Sequence, residues 1–263
     1  MMFASQITPR SVGGVTLAQS VALVPPLIVV ALAEPDRYAI LLAVTLGAAL
    51  IWEAIFAVLR RQGHGIHGVT TALIVTVLVP PDIAVWQLAF VVSLGVVLGE
   101  LVLGGRGFGF VHPATVAVAL LMVSFPQIQL PASTQALAVA TLPGALLLLA
   151  LGLISWRIIV ATAVMTVLAL FVKGSGVDLT ALSIALVFGL IFLICDPLSA
   201  TATNPGRLAY GALAGVFIVV FSSGGPPTAE AIVLAALMAS VFAPLIDHLV
   251  TLAHARRREK RHA

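Results

Sequence analysis

Four carboxylates stand in or beside long apolar runs: Glu53, Glu100, Asp196 and Asp247. A charged group in such surroundings is expensive to desolvate, so it is paired, neutralised or used. Carboxylates placed this way can coordinate a cation or relay a proton, which makes these four the candidate stations of an ion pathway. Each has a structural alternative, snorkelling to an interface or pairing with a nearby arginine. That alternative is the stronger one for Glu53 and Glu100. Asp196 and Asp247 are the better pathway candidates. Asp196 also opens the densest polar stretch outside the C-terminal tail, running through Ser199, Thr201, Thr203 and Asn204 to Gly206. These side chains supply oxygens and donors for an ion, a phosphate or a flavin edge. The competing reading is an interfacial loop whose Asp-Pro pair caps the next helix.

Three histidines, His64, His67 and His112, raise ligation of a haem or metal. Membrane haems need facing histidines on helices. His64 and His67 lie in a glycine-rich turn, so capping and hydrogen bonding at a helix start is the favoured reading. No metal site is read from the sequence. The single cysteine, Cys195, excludes an intrachain disulfide, a Cys-ligated iron–sulfur cluster and a structural zinc site. The segment Gly104-Gly105-Arg106-Gly107-Phe108-Gly109 is glycine-rich, but it follows an apolar span and lacks the strand that a dinucleotide fingerprint requires.

The elements that must hold these groups are set by composition. Of 263 residues, 61% are hydrophobic and 9% charged, and mean hydropathy is +1.18. Such a chain cannot hide its apolar surface from water, so lipid is its solvent. Soluble enzymes, nucleic-acid binders and disordered proteins are excluded, and the absence of alternating polarity argues against a transmembrane β-barrel. The expected class is an all-α polytopic membrane protein, a single integral domain over 1–263 with about 8–10 transmembrane or half-spanning helices. Spans are read at about 17–33, 38–59, 83–102, 155–172, 179–195, 208–222 and 229–251. Shorter apolar pieces lie at 68–79, 114–125 and 142–153, the last able to continue into 155–172. Twelve helical residues rise about 18 Å, little more than half a bilayer core. The basic residues Arg256, Arg257, Arg258, Lys260 and Arg261 lie in a tail, 253–263, expected to sit in the cytoplasm of a bacterial inner-membrane protein. No cleavable signal is read after Arg10.

An internal echo points to broken helices. Pro80-Pro81 is followed by an apolar span ending at Glu100, and Pro226-Pro227 by one ending at Asp247. Each diproline follows an apolar helix that is itself preceded by a small, polar, glycine-bearing stretch. Two such modules suggest an inverted repeat with half-helices meeting near the midplane. Convergent turn chemistry is the alternative.

Four blocks in order carry a resemblance to a known family. They are Thr70-Thr71-Ala72-Leu73 to Pro80-Pro81; Gly104-Gly105 through His112-Pro113-Ala114 to Ser124-Phe125-Pro126; Asp196-Pro197-Leu198-Ser199-Ala200 with Thr203-Asn204; and Ala243-Pro244-Leu245-Ile246-Asp247-His248. Together they resemble the NqrB/RnfD family, membrane subunits of the sodium-pumping NADH:quinone reductase and of the Rnf complex, over most of residues 15–252. The resemblance implies ten helices in two inverted halves, related to urea and ammonium channels. It also implies flavin-mediated electron transfer coupled in some members to Na+ or H+ movement. The family attaches FMN to the Thr of a Ser-Gly-Ala-Thr motif. The matching stretch is Ala138-Val139-Ala140-Thr141, where the Thr remains and the Ser and Gly do not. A glycine-rich segment with a Gly-Glu-Thr-Ser core is missing before Trp156-Arg157, and His112-Pro113 replaces Asn-Pro.

The expected function is therefore a membrane subunit of a flavin-dependent electron transport complex. FMN or riboflavin is the implied cofactor, with Thr141, Ser199, Thr201, Asn204 and His112 as binding residues. The implied partners are the bilayer, other membrane and peripheral redox subunits, and Na+ or H+. The alternatives are a channel or carrier for a small polar solute or ion on the same broken-helix fold, and a cofactor-free anchor subunit.

Overall fold

The computed structural model describes residues 12–61, 65–174, 176, 178–222 and 226–262, the last seven by backbone alone. Among the described residues there are ten α-helices and no strand: α1 (Val12–Ala33), α2 (Pro35–Arg60), α3 (Gly68–Leu78), α4 (Val85–Val96), α5 (Pro113–Ser124), α6 (Gln135–Ala150), α7 (Trp156–Val172), α8 (Leu179–Gly189), α9 (Asn204–Phe221) and α10 (Ala229–His262). Short π-helical segments, Val97–Leu101 and Leu190–Ile194, continue α4 and α8. Four helices, α1, α2, α9 and the Ala229–Ala255 part of α10, are long and apolar enough to cross a bilayer.

Burial runs opposite to that of a water-soluble protein. The outer faces carry large apolar side chains such as Val21, Leu32, Val58, Trp86, Val123 and Phe171. The interior holds Gln19, Thr45, Glu53, Thr71, Glu100, His112, Thr141, Asp196 and Ser199. Lipid solvates the first set, and the second must find partners inside the protein. The chain is an integral membrane protein.

Local chemistry sets the breaks. Pro35 starts α2, and Arg61 ends it in the left-handed conformation, at φ 53°. Pro113 starts α5 behind His112, and Thr134 caps α6 by accepting from the Leu137 N–H at 3.2 Å. That cap corrects the expected short piece 142–153: the helix begins at Gln135. It does not run into the next span, because Gly152 turns the chain at φ 67° before Trp156 restarts it. The tail expected over 253–263 is helical to His262, a continuation of α10. α1, α6 and α10 each carry proline inside the helix, as membrane helices tolerate.

Packing repeats with a shift of five helices. α1 lies along α3, as α6 lies along α8. α2 packs on α4 as α7 does on α9, and α4 on α5 as α9 does on α10. The two halves meet through the exchange-related pairs α1–α6 and α5–α10. This corrects the diproline echo, which equates α3–α4 with α9–α10. Those pairs pack differently, α9 and α10 extensively and α3 and α4 sparsely. The seam of α7 on α9 depends on small residues. A Cβ on Gly215 would stand 2.7 Å from the Thr162 carbonyl oxygen, so only glycine lets the backbones approach.

Candidate ion site at the broken helices

Hydrogen bonds made by side chains at helix ends identify the two ends of the bundle. At one end, Arg37 donates to the carbonyls of Pro81 and Ile83, and Glu230 accepts from the Leu130 N–H at 2.8 Å. At the other, Arg60 donates to the Leu101 carbonyl, and Arg157 to Asn204 at 3.3 Å. The short helices α3 and α5 have 11 and 12 residues, about 16–18 Å of rise. Their N-termini therefore lie below this second end, and the polar site is built around them.

Glu53, from α2, caps α3: its Oε1 accepts from the Gly68 N–H at 2.8 Å, while Oε2 has no partner. The pairing with Arg60 that the sequence allows is not made. Arg60 instead lies over the Phe56 ring, 5.1 Å from its centroid. Next to Gly68, His67 meets Thr16 of α1, Nδ1 to Oγ1, at 2.7 Å. His112 caps α5, its Nδ1 accepting from the Ala114 N–H at 3.1 Å. A neutral His112 therefore carries its proton on Nε2, which lies 3.9 Å from Asp196 Oδ1.

Asp196 stands where the chain leaves the π-helical end of α8. It is 1% exposed. Oδ1 accepts from Gln19 Nε2 at 2.9 Å. Oδ2 accepts from the Ser199 hydroxyl at 2.9 Å and from the N–H groups of Ser199 and Leu198 at 3.0 and 3.3 Å. Gln19 turns its oxygen to Arg106, which donates at 2.8 Å. Arg106 also pairs with Glu100 at 3.7 Å, with 3% and 6% of the two side chains exposed. Glu100 is thus a buried ion-pair member and does not snorkel.

Two cavities follow this network. The outer one, about 200 Å³ and half open, is lined by Glu53, Arg60, His67, Glu100, Arg106 and Phe108 among others. The inner one, about 20 Å³, is lined by Glu100, Arg106, His112, Asp196 and Ser199 among others. The inner space holds about one water or bare ion. Glu100, Gly105 and Arg106 are common to both walls.

Three of the four carboxylates are therefore brought together with His112 and Ser199. Asp247 is elsewhere: it accepts from the N–H groups of Ala202 and Thr203 and from the Thr203 hydroxyl, at 2.8, 3.1 and 2.6 Å, and so braces the start of α9. Asn204 is exposed beside Arg157. Thr201 is buried with an unpartnered hydroxyl. His64 lies outside the described residues. Gln19, Thr16 and Arg106 belong to the site although sequence reading did not select them. Arg106 carried a signal, a lone cation between glycines six residues after Glu100.

Thr141 does not fit a flavin. It is fully buried in α6, its hydroxyl donating back to the Leu137 carbonyl at 2.8 Å. A phosphoester needs a hydroxyl that a transferase can reach. The cavity beside Ser199 has no room for an isoalloxazine ring either.

Comparison with known proteins decides the family. The model of the NQR2, RnfD, RnfE family matches residues 5–134 and 129–255. The chain belongs to this family. Among similar proteins are the Na(+)-translocating NADH-quinone reductase subunits B of Ectopseudomonas mendocina, 30% identical over 82% of this chain and 67% of that protein, and of Chromohalobacter salexigens, 30% identical over 84% and 67%. The subunit from Klebsiella pneumoniae is 27% identical over 80% and 65%. This family member thus spans about two thirds of the length of those relatives.

Proposed function

We propose that the protein is the membrane subunit of a redox-driven ion-translocating complex, and that the Glu53–Glu100–Asp196 cluster receives the coupling cation, Na+ or H+. The observation that carries this reading is the convergence of three buried carboxylates on one buried guanidinium, along two cavities that share a wall. Buried charge of one sign in excess demands a cation or protons. The relatives' name supports the redox complex and the sodium ion. Other subunits then bring the electrons, since the chain has neither cysteine ligands for iron–sulfur clusters nor a dinucleotide fingerprint.

Charge orients the chain. If each helix crosses the membrane, the end bearing the site carries Arg60, Arg61, Arg106, Arg157, Arg207 and the basic end of α10. The opposite end carries Glu34, Asp36, Asp82, Asp178 and Glu230 against Arg37 and Lys173. The positive-inside rule then puts the outer cavity, the start of α1 and the end of α10 on the cytoplasmic side of the bacterial inner membrane. Five crossings per half also make the two halves inverted.

Dicyclohexylcarbodiimide, which reacts with carboxyl groups in apolar sites, tests the reading. Purified protein should be labelled at Glu53 or Glu100, with labelling falling as the pH rises and the carboxyls lose their protons. Labelling confined to residues outside the cluster contradicts the proposal.

A second reading is a channel or carrier for a small ion or polar solute that works without a flavin. The burial of Thr141 favours it. Protein made in a flavin-replete host that expresses the transferase, acid-precipitated and examined at 450 nm, separates the two. A yellow pellet restores covalent flavin and sinks the second reading.

A further inference from the structure

Arg106 stands in the shared wall of the outer and inner cavities. Its side chain is 3% exposed, yet it comes from a loop and not from a helix. It pairs with Glu100 at 3.7 Å and donates to Gln19 at 2.8 Å, and Gln19 in turn holds Asp196 at 2.9 Å. Its Nε is buried without a partner. The guanidinium therefore occupies the place between the carboxylates where a free cation would sit.

The loop that carries this side chain holds its conformation through glycine. Gly104, Gly105 and Gly107 have φ of 124°, 97° and 95°. At Gly105 and Gly107 an added Cβ would meet nothing within 4 Å, so packing does not demand glycine there; backbone conformation does. Glycines thus flank Arg106 on both sides in a region other residues rarely adopt, next to the half-open cavity.

We propose that Arg106 is a tethered counter-ion, which fills the cation position between Glu100 and Asp196 and keeps a free monovalent cation out of it. This rests on the ion-path reading above and adds an occupant. Glu100 holds the guanidinium directly and Asp196 holds it through Gln19. His112 presents Nε2 to the same carboxylate, 3.9 Å from Asp196 Oδ1, but does not reach Glu100 or Gln19 by any hydrogen bond among the described residues.

The test uses the full chain in detergent, with melting midpoints read in NaCl and in choline chloride at equal ionic strength. The wild type and Arg106→Lys should melt alike in the two salts. Arg106→Gln exposes the carboxylates to each other, so its midpoint should fall in choline and recover by ~5 °C or more in saturating Na+. Where Arg106→Gln cannot be purified in choline, Arg106→Gln/Glu100→Gln should be recoverable and salt-indifferent, because the unbalanced charge is gone. Arg106→Gln melting alike in both salts overturns the proposal, as does a double variant no more stable than the single one. So does a wild type that already shows the full sodium response. These outcomes concern the occupant only. The ion-path reading fails separately, if labelling by carbodiimide avoids the cluster.

Discussion

At the scale of single residues, Asp196 and Asp247 separate two roles that look alike in sequence. Both are lone aspartates beside apolar runs. Asp196 is enclosed with Gln19, Ser199 and His112, whereas Asp247 spends its oxygens on the start of α9. Asp247→Ala should cost about 0.5–2 kcal/mol, the worth of a helix cap, and leave cation binding in place. Asp196→Ala strands Gln19 and weakens the hold on Arg106, and should cost about 3–5 kcal/mol, as breaking a buried charge pair does. Thermal melts of the two variants in one detergent check the difference, and equal losses would contradict it. The carboxylates themselves were legible because each broke an apolar run. Their grouping was not, since Glu53, Glu100 and Asp196 come from distant parts of the chain and meet only through tertiary packing. Arg106 was hidden by its glycines, which read as a solvent loop until the side chain is seen turning inward.

At the scale of elements, hydropathy placed nearly every helix, because lipid imposes a length and a polarity that the sequence must satisfy. It failed where a local cap decided the boundary. Thr134 starts α6 seven residues before the expected piece, in a stretch where small and polar residues dilute the apolar signal. The half-helices α3 and α5 were legible from their length and from the polar residues before them. Which helices are equivalent was not, because proline pairs mark turns without saying what packs on what. The α7–α9 seam is sensitive to volume. Gly215→Leu should abolish folding or lower the midpoint sharply, since its side chain would enter the Thr162 backbone. Ala at the exposed Gly176, where a Cβ meets nothing, is the matched control and should leave the midpoint unchanged.

At the scale of the whole molecule, the fold puts apolar side chains against lipid and encloses a polar network that opens at its basic end. The orientation proposed above rests on charge and can be checked directly. The native Cys195 is 1% exposed and gives little background. Asp178→Cys and Asp82→Cys should react with a membrane-impermeant maleimide in intact spheroplasts, and Arg61→Cys and Arg157→Cys only after the membrane is opened. The reverse pattern would turn the molecule over. The central claim, that the cluster handles the coupling cation, is tested most directly by Glu100→Gln. Glutamine keeps the shape of the side chain and removes its charge. In inverted membrane vesicles containing the whole complex, respiration-driven cation uptake should fall at least ~10-fold while the subunit remains present and assembled. Uptake equal to that of the wild type would contradict the account.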